Sequence, residues 1–403
     1  MFEIHELSSL EDLPDISGRN VLLRADLNVP LTHEQGEPAA VGQAAQNEWR
    51  VADDFRIDAS LPTLEWLLDK GANVTVCSHL GRPKGKFDPD LSMKPVTERL
   101  NYLLRRDGVS DELISRVNVM ENLRFDPGEE QNDPAFVDKL IDGQDFYVND
   151  AFGAAHRAHA SVVGPPMKLP SVAGRLLFRE VEVLSGLLES PAEPFVLVLG
   201  GAKVSDKLKL LDMLGAKADV LLIGGGMAFT FFLAKGVGIG DSLAEPLLVS
   251  ECENIYKHLQ DAGVQVLLPV DIVIVGPGDE VELVDVDGNM GESGGSIPPG
   301  WKGMDIGQKT SLAYAKVLQK AGTVFWNGPM GVFEDTRFAP GTVAIAKAVA
   351  DSLGVTIVGG GDSARALHSL GLADKVDHLS TGGGACLEFL EKGDLPGLEK
   401  LRK

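Results

Sequence analysis

The stretch FVLVLGGAK, residues 195–203, decides the fold. Its five successive apolar residues, Phe195, Val196, Leu197, Val198 and Leu199, lack the alternation of a half-exposed strand. They fit a strand covered on both faces, as in a parallel sheet. The run ends at Gly200 and Gly201, and Lys203 follows. In an open α/β sheet the ligand sits beyond the carboxyl ends of the strands, where bare backbone N–H groups at helix starts attract anions. A buried strand that runs into glycines and then a cation is therefore a signal of fold and of site together.

The same pattern recurs along the chain. Runs rich in Val, Ile and Leu at 21–24, 74–77, 117–120, 146–148, 220–223, 266–268, 324–326, 356–358 and 378–380 are expected strands. Stretches of helical spacing lie between them, such as Leu61, Leu64, Leu67 and Leu68, or Leu208, Leu211 and Leu214. Strands alternating with helices predict an α/β, doubly wound parallel-sheet architecture. At 403 residues the chain exceeds the length at which one core stops growing, about 250–300 residues, so two domains are expected. Residues 175–190 are amphipathic and stop at Pro191. They predict an interdomain helix, with two half-sites facing each other across a cleft that closes by hinge bending.

The residues that follow the strands fall into two groups. In the first half they are Asp26 and Asn28, then His79 and Arg82, Arg124, and Arg157 between His156 and His159. Guanidinium groups suit phosphate and carboxylate oxygens, so this group is expected to hold a small polyanion, with His79, Arg82, Arg124 and Arg157 as a clamp on a phosphate. In the second half the residues are mostly glycine: Gly201, Gly225, Gly226, Gly359, Gly360, Gly361 and Gly382–Gly384, joined by Lys203, Lys207, Asn327, Asp362 and Ser363. These suit a nucleotide polyphosphate. Lys203 and Lys207 are expected at a helix start with Ser205 as its N-cap; cations there oppose the helix dipole and are better explained by a shared anion. Some readings stay open at this level. Asp26 and Asn28 fit a local Asx turn as well as a site, and Asp362 fits a plain N-cap as well as a ligand for a hard cation. His156 and His159 have metal-like spacing without a third ligand in register, which favours hydrogen bonding.

Composition narrows the function classes. Lys plus Arg is 37 against 59 Asp plus Glu, a net charge of −22, which argues against nucleic acid or an anionic membrane as the main partner. Acidic pairs such as Glu11-Asp12 and Glu129-Glu130, and the 279–282 segment, read as solvated surface. Ordinary solubility and adaptation to a high-salt cytoplasm both account for that excess. The acidic start MFEIHELSSLEDL resembles no signal peptide and no run reaches the ~18 apolar residues of a spanning helix, so a cytoplasmic chain is expected. Cys77, Cys252 and Cys386 have no paired spacing and are expected as packed free thiols. No long apolar stripe calls for a partner, so a monomer is the expectation. Neither G-x-x-x-x-G-K-[ST] nor G-x-G-x-x-G occurs, which removes P-loop enzymes and disfavours dehydrogenases.

RADLNVP (24–30), SHLGRP (78–83), ENLRF (121–125) and DAFGAAHRAH (150–159) resemble the motifs of phosphoglycerate kinases. So do LGGAKVSDK, IGGGMAFTF, FWNGPMGVFE, VGGGDSA and STGGGA, in the family's order and across nearly the whole chain. The resemblance implies two Rossmann-like domains, at 1–174 and 191–386, with a tail at 387–403 packing on the first. It implies reversible transfer of the acyl phosphate of 1,3-bisphosphoglycerate to ADP, giving 3-phosphoglycerate and ATP, with Mg²⁺. It also implies roles. Arg56 becomes the catalytic arginine, and Asp26 and Asn28 meet the hydroxyl and carboxylate end of the glycerate. Lys203 meets the transferring phosphoryl group and Lys207 the nucleotide phosphates. Glu334 meets the ribose, Asn327 lies near the phosphates, and Gly201, Gly225 and Gly226 line the adenine slot. Gly359, Gly360 and Ser363 belong to the phosphate cradle. Asp362 meets Mg²⁺, and Gly361 and Gly384 offer N–H donors to the transferred group. Two features depart from the family pattern: residues 32–54 are longer, and read as a polar surface loop, and Cys386 replaces a more usual Ser. A non-catalytic nucleotide-binding scaffold of the same fold remains the alternative.

Overall fold

A computed structural model describes residues 4–34, 48–286 and 295–403. The chain divides into two units, Met1–Ser185 with Lys392–Lys403, and Gly186–Glu391.

The first unit contains β1 (Asn20–Ala25), β2 (Leu31–Glu34), β3 (Glu48–Val51), β4 (Asn73–Cys77), β5 (Val117–Val119), β6 (Phe146–Asp150) and β7 (Ser171–Ala173). Five of them form a parallel sheet in the order β5-β4-β1-β6-β7. Numbered by their own sequence the order is 3-2-1-4-5, so the winding reverses between β1 and β6, the crevice where ligands bind in such sheets. Every β1 residue after Asn20 is buried, Arg24 included, and Arg24 stands opposite Cys77 of β4 and Asn149 of β6.

β2 and β3 correct the reading of 32–54 as a loop. They pair antiparallel with His33 opposite Trp49, whose rings meet edge to face at 4.9 Å, and Trp49 Nε1 donates to Asp90 at 2.9 Å. A cross-strand aromatic pair supplies the register that the polar composition hid; residues 35–47 between the strands lie outside the described residues.

The second unit contains β8 (Phe195–Leu199), β9 (Val220–Ile223), β10 (Gln265–Leu267), β11 (Asp271–Val275), β12 (Val281–Asp285), β13 (Lys302–Ile306), β14 (Thr323–Asn327), β15 (Val355–Gly359) and β16 (His378–Leu379). Its parallel sheet runs β10-β9-β8-β14-β15-β16, which is 3-2-1-4-5-6 with the reversal between β8 and β14. Phe195 to Leu199 are all buried, and Tyr314 ties two neighbouring strand ends by donating to Ile223 O at 2.7 Å and Leu267 O at 2.9 Å. All ten expected strand runs lie on parallel-sheet strands. The antiparallel set β12-β11-β13 was not foreseen. β12 is nearly all exposed, with Glu282 and Asp285 interrupting its apolar residues, and β11 follows β10 after only three residues, so neither gave a separate signal. Among the described residues no helix is long and apolar enough to cross a membrane.

One carboxylate illustrates how a strand end is joined to a helix start. Asp150, at the carboxyl end of β6, accepts from Leu176 N at 2.9 Å and Leu177 N at 3.3 Å, capping the helix Arg175–Glu189. Thr63 completes the cap by accepting from Arg175 N at 2.8 Å. Burial pushes the Asp150 carboxyl up to about 7. A folded value above the unfolded one means that the native state holds a proton which the unfolded state has released. Stability from this group is therefore full below the usual Asp range and is lost as pH rises toward 7. Asp150→Asn is expected to remove that dependence: urea unfolding at pH 5.5 and 7 should show the parent losing on the order of 1–2 kcal/mol more than the variant. Equal losses would contradict the assignment.

Candidate active site

In the first unit, charged side chains gather at the carboxyl ends of β1, β4 and β6. The strand β1 ends in Arg24 and leads into Asp26 and Asn28. Asp26 Oδ2 accepts from Arg56 Nη1 at 2.5 Å, and Asn28 Oδ1 accepts from Gly81 N at 2.9 Å, fastening the β1 loop to the β4 loop. The local Asx contact is also present but long, Asn28 N to Asp26 Oδ1 at 3.4 Å. Arg56 lies in the first turn of the helix Phe55–Asp69. Asp54 stands at its N-cap and is gripped by both Arg99 Nε at 2.8 Å and Arg99 Nη2 at 2.5 Å.

His79 is the centre of the cluster. It is buried, and its Nδ1 lies 3.1 Å from Arg24 Nη2. Burial, with the charges of Arg24, Arg124, Arg157 and Arg56 around it, holds its pKa well below the usual histidine range, so the ring is neutral. Arg124 is also buried; its Nη1 donates to Gly81 O at 2.7 Å and its Nε lies 3.2 Å from Glu130. Burial first, and Arg157 next, lower its pKa too. Arg157 is half-buried and donates through Nε to His156 Nε2 at 3.1 Å. Arg82 is exposed beyond the Gly81 turn and is not among the charges that bear on His79.

Arg24 and Glu129 were not singled out from the sequence. Glu129 corrects the reading of Glu129-Glu130 as solvated surface: Glu130 is exposed, but Glu129 is fully buried and accepts two bonds from Ser161. A signal for Arg24 was available, as a lone charge inside an otherwise apolar strand run.

In the second unit two strand ends cross closely. Gly200 N donates to Asn327 O at 3.0 Å and Gly201 N to Pro329 O at 2.8 Å. A Cβ at Gly328, which has φ +96°, would stand 2.3 Å from Gly200 O. Only bare backbone permits this approach. It opens a cavity of about 290 Å³ lined by Gly201, Gly225 and Gly226, by apolar Phe229, Ile272, Met304 and Val332, and by Glu334 and Asp362. β11 and β13 supply part of the apolar wall, through Ile272 and Met304.

Beside the cavity, the half-buried Lys207 donates to Asn327 Oδ1. Burial lowers its pKa, while Asp206 and Asp362 oppose that shift. Asn327 Nδ2 donates to Gly359 O at 2.8 Å, and Ser363 Oγ accepts from Gly328 N at 2.7 Å, so Ser363 holds the loop. Gly361 begins the helix Gly361–Ser369 behind Gly360 at its N-cap, and Gly384 begins Gly384–Lys392. A Cβ at Gly361 or Gly384 would meet nothing within 4 Å, so both helix starts face open space. Lys203 is exposed. Ser205 is not an N-cap: its N–H and hydroxyl both go to Glu245, at 2.9 and 2.6 Å, and the helix begins only at Leu208. The three cysteines are buried, and none of them forms a disulfide among the described residues.

A family model described as phosphoglycerate kinase matches residues 10–393. The chain belongs to the phosphoglycerate kinase family. It is 45% identical to a phosphoglycerate kinase of Parafrankia sp., over 98% of this chain and 100% of that one. It is 46% identical to one of Chloroflexus aurantiacus, over 96% and 97%. The solved structure of phosphoglycerate kinase from Coxiella burnetii superposes with a TM-score of 0.82 at 37% identity, covering 98% of each chain. That from Pyrococcus horikoshii gives 0.78 at 32%. Membership makes this chain a glycolytic phosphotransferase.

One contact went unforeseen. Arg365 Nη2 lies 2.6 Å from Asp362 Oδ1 and 3.5 Å from Glu334 Oε1, with its guanidinium over the Phe333 ring at 5.5 Å. It offsets two carboxylates that line the cavity. Arg365→Ala is expected to weaken ADP binding in the absence of divalent cation roughly two- to fivefold, the range of an exposed ion pair. Calorimetric titration checks this, and unchanged or tighter binding would contradict it.

Proposed function

We propose that this chain transfers the acyl phosphate of 1,3-bisphosphoglycerate to ADP, reversibly, by direct in-line displacement between ligands held in its two units. One observation carries the reading. In a protein of net charge −22, four guanidinium groups surround one buried, neutral histidine at the switch point of the first sheet. So concentrated a positive site in an acidic chain suits an anionic ligand.

In this reading His79, Arg82, Arg124 and Arg157 hold the phosphate that stays with the glycerate, while Asp26 and Asn28 hold the hydroxyl end. Arg56, in the first turn of its helix and tethered by Asp26, steadies the carboxylate oxygen and the charge on the group in flight. Phosphoryl transfer asks mainly for position and charge stabilisation, and an acyl phosphate is already activated, so no covalent intermediate is needed.

ADP enters the cavity with its base between the glycines and the apolar wall, and Glu334 bonds the ribose. Lys207 and Asn327 lie along the phosphates, with the Gly359–Gly360 turn and Ser363 supporting the cradle. Lys203 meets the transferring phosphoryl group, which Gly361 and Gly384 receive with backbone N–H donors. Asp362 suits Mg²⁺, since this ion takes one or two carboxylates together with nucleotide phosphates rather than an all-protein cage. When bound it neutralises phosphate charge. The two half-sites belong to different units, so transfer requires the domains at 1–174 and 191–386 to approach, which we assign to a hinge at 175–190 with the 387–403 tail moving with the first. We place the protein in the cytoplasm as a monomer.

Lys203→Ala is the test. In a coupled assay of ATP formation, kcat is expected to fall on the order of 10²-fold or more, because the lost charge acts mainly in the transition state. An unchanged kcat would contradict the role. An inactive parent that still binds ADP would favour the scaffold alternative. The parent's activity across a salt series separates ordinary solubility from adaptation to high salt as the meaning of the −22 charge.

A further inference from the structure

Below the arginine cluster lies a chain of buried polar groups that the reaction scheme does not use. Arginine has only donors, so the 3.1 Å contact between Arg24 Nη2 and His79 Nδ1 makes Nδ1 the acceptor. In a neutral ring the proton must then sit on Nε2. Arg24 is itself fixed. It is 1% exposed, its Nη1 donates to Ala25 O, and its Nε donates to Ser161 Oγ at 2.9 Å. Ser161 has one hydroxyl proton, and with Arg24 donating to the oxygen that proton goes to Glu129 Oε1 at 2.6 Å. The same carboxylate accepts from Ser161 N at 2.9 Å, and the Ser161 carbonyl accepts from Tyr147 at 2.7 Å. Glu129 and Ser161 are both completely buried. Near Glu129 Oε1, at 3.9 Å, stands His159 Nδ1, whose pKa burial lowers.

We infer that Glu129 and Ser161 are positioning residues for the phosphoglycerate half-site: through Arg24 they hold His79 in the Nε2–H tautomer, so that the ring donates to a bound anion and cannot accept. The inference rests on the reading of the cluster as the phosphoglycerate site. Its physical content is directional. A ring free to flip, or to move its proton to Nδ1, would present a lone pair to phosphate or carboxylate oxygens and repel them. Arg24 removes that option by occupying Nδ1. The Ser161–Glu129 pair prevents Arg24 from swinging away under the repulsion of the neighbouring guanidinium groups, since a buried, bonded charge partner is costly to leave. No bond is made or broken and no proton is exchanged with the ligand.

Nitrogen-15 NMR of the histidine-labelled full chain reads the tautomer directly. The parent is expected to show His79 with an unprotonated Nδ1 and a protonated Nε2 at pH 7 and no titration at ordinary histidine pH; addition of 3-phosphoglycerate should move its Nε2 resonance. Ser161→Ala removes the oxygen while leaving the backbone N–H to Glu129. It should raise KM for 3-phosphoglycerate roughly five- to twentyfold, as expected for a buried charged donor left without its partner. KM for the nucleotide should stay unchanged, and signals of the Nδ1–H tautomer should appear. Glu129→Gln, which keeps the volume, should act in the same direction. A proton on Nδ1 in the parent, or equal KM values in both variants and the parent, would overturn the inference. An Nε2–H ring whose resonances ignore 3-phosphoglycerate would overturn instead the site reading on which it rests.

Discussion

Like charge held together out of water is the constraint on which the first unit is organised. Arg24, Arg56, Arg124 and Arg157 all act on one buried ring. Without compensation such a cluster would cost several kcal/mol, because neither desolvation nor repulsion is offset. The compensation is local and asymmetric. Asp26 takes Arg56, Glu130 lies against Arg124, and Ser161 connects Arg24 to Glu129. Of these partners Asp26 and Glu129 are buried, while Glu130 is exposed. The sheet order explains why so many side chains arrive at one place: the reversal between β1 and β6 opens a crevice, and the loops after β1, β4, β5 and β6 all end along that edge.

The second unit solves the opposite problem. In the proposed function a nucleotide would offer its phosphates to backbone N–H groups and its base to an apolar slot, which calls for side chains kept out of the way. The crossing of Gly200 with Gly328 and the contact of Gly226 with Ala202, where a Cβ would stand 2.7 Å from a carbonyl oxygen, do this with backbone alone. Charge is then added sparingly, through Lys207 on Asn327 and through the Asp362–Arg365–Glu334 group.

The sequence made the parallel sheets legible because strands buried on both faces are continuous apolar runs, and each of the ten runs lies on such a strand. It also marked the glycines that follow the strands, where the structure shows close backbone approaches such as Gly200 with Gly328. It was silent where contact alone decides. Nothing in the spacing of Glu129 separates it from its exposed neighbour Glu130, and no pattern marks Ser161. Arg56 stood out only by family resemblance, because no spacing rule singles out one charge at the start of a helix. The hairpin β2–β3 was hidden by polar composition, and Ser205 was misread because its partner, Glu245, lies 40 residues away.

The account stands or falls on the cationic cluster being a phosphate site. Calorimetric titration of the parent with 3-phosphoglycerate and, separately, with glycerate tests this most directly. The account predicts one site per chain, weakening with ionic strength, and at least about tenfold preference for the phosphorylated ligand, since bonds to a charged phosphate each contribute on the order of 1.5–3 kcal/mol. Equal affinity for the two ligands, or no binding of 3-phosphoglycerate at low salt, would contradict it.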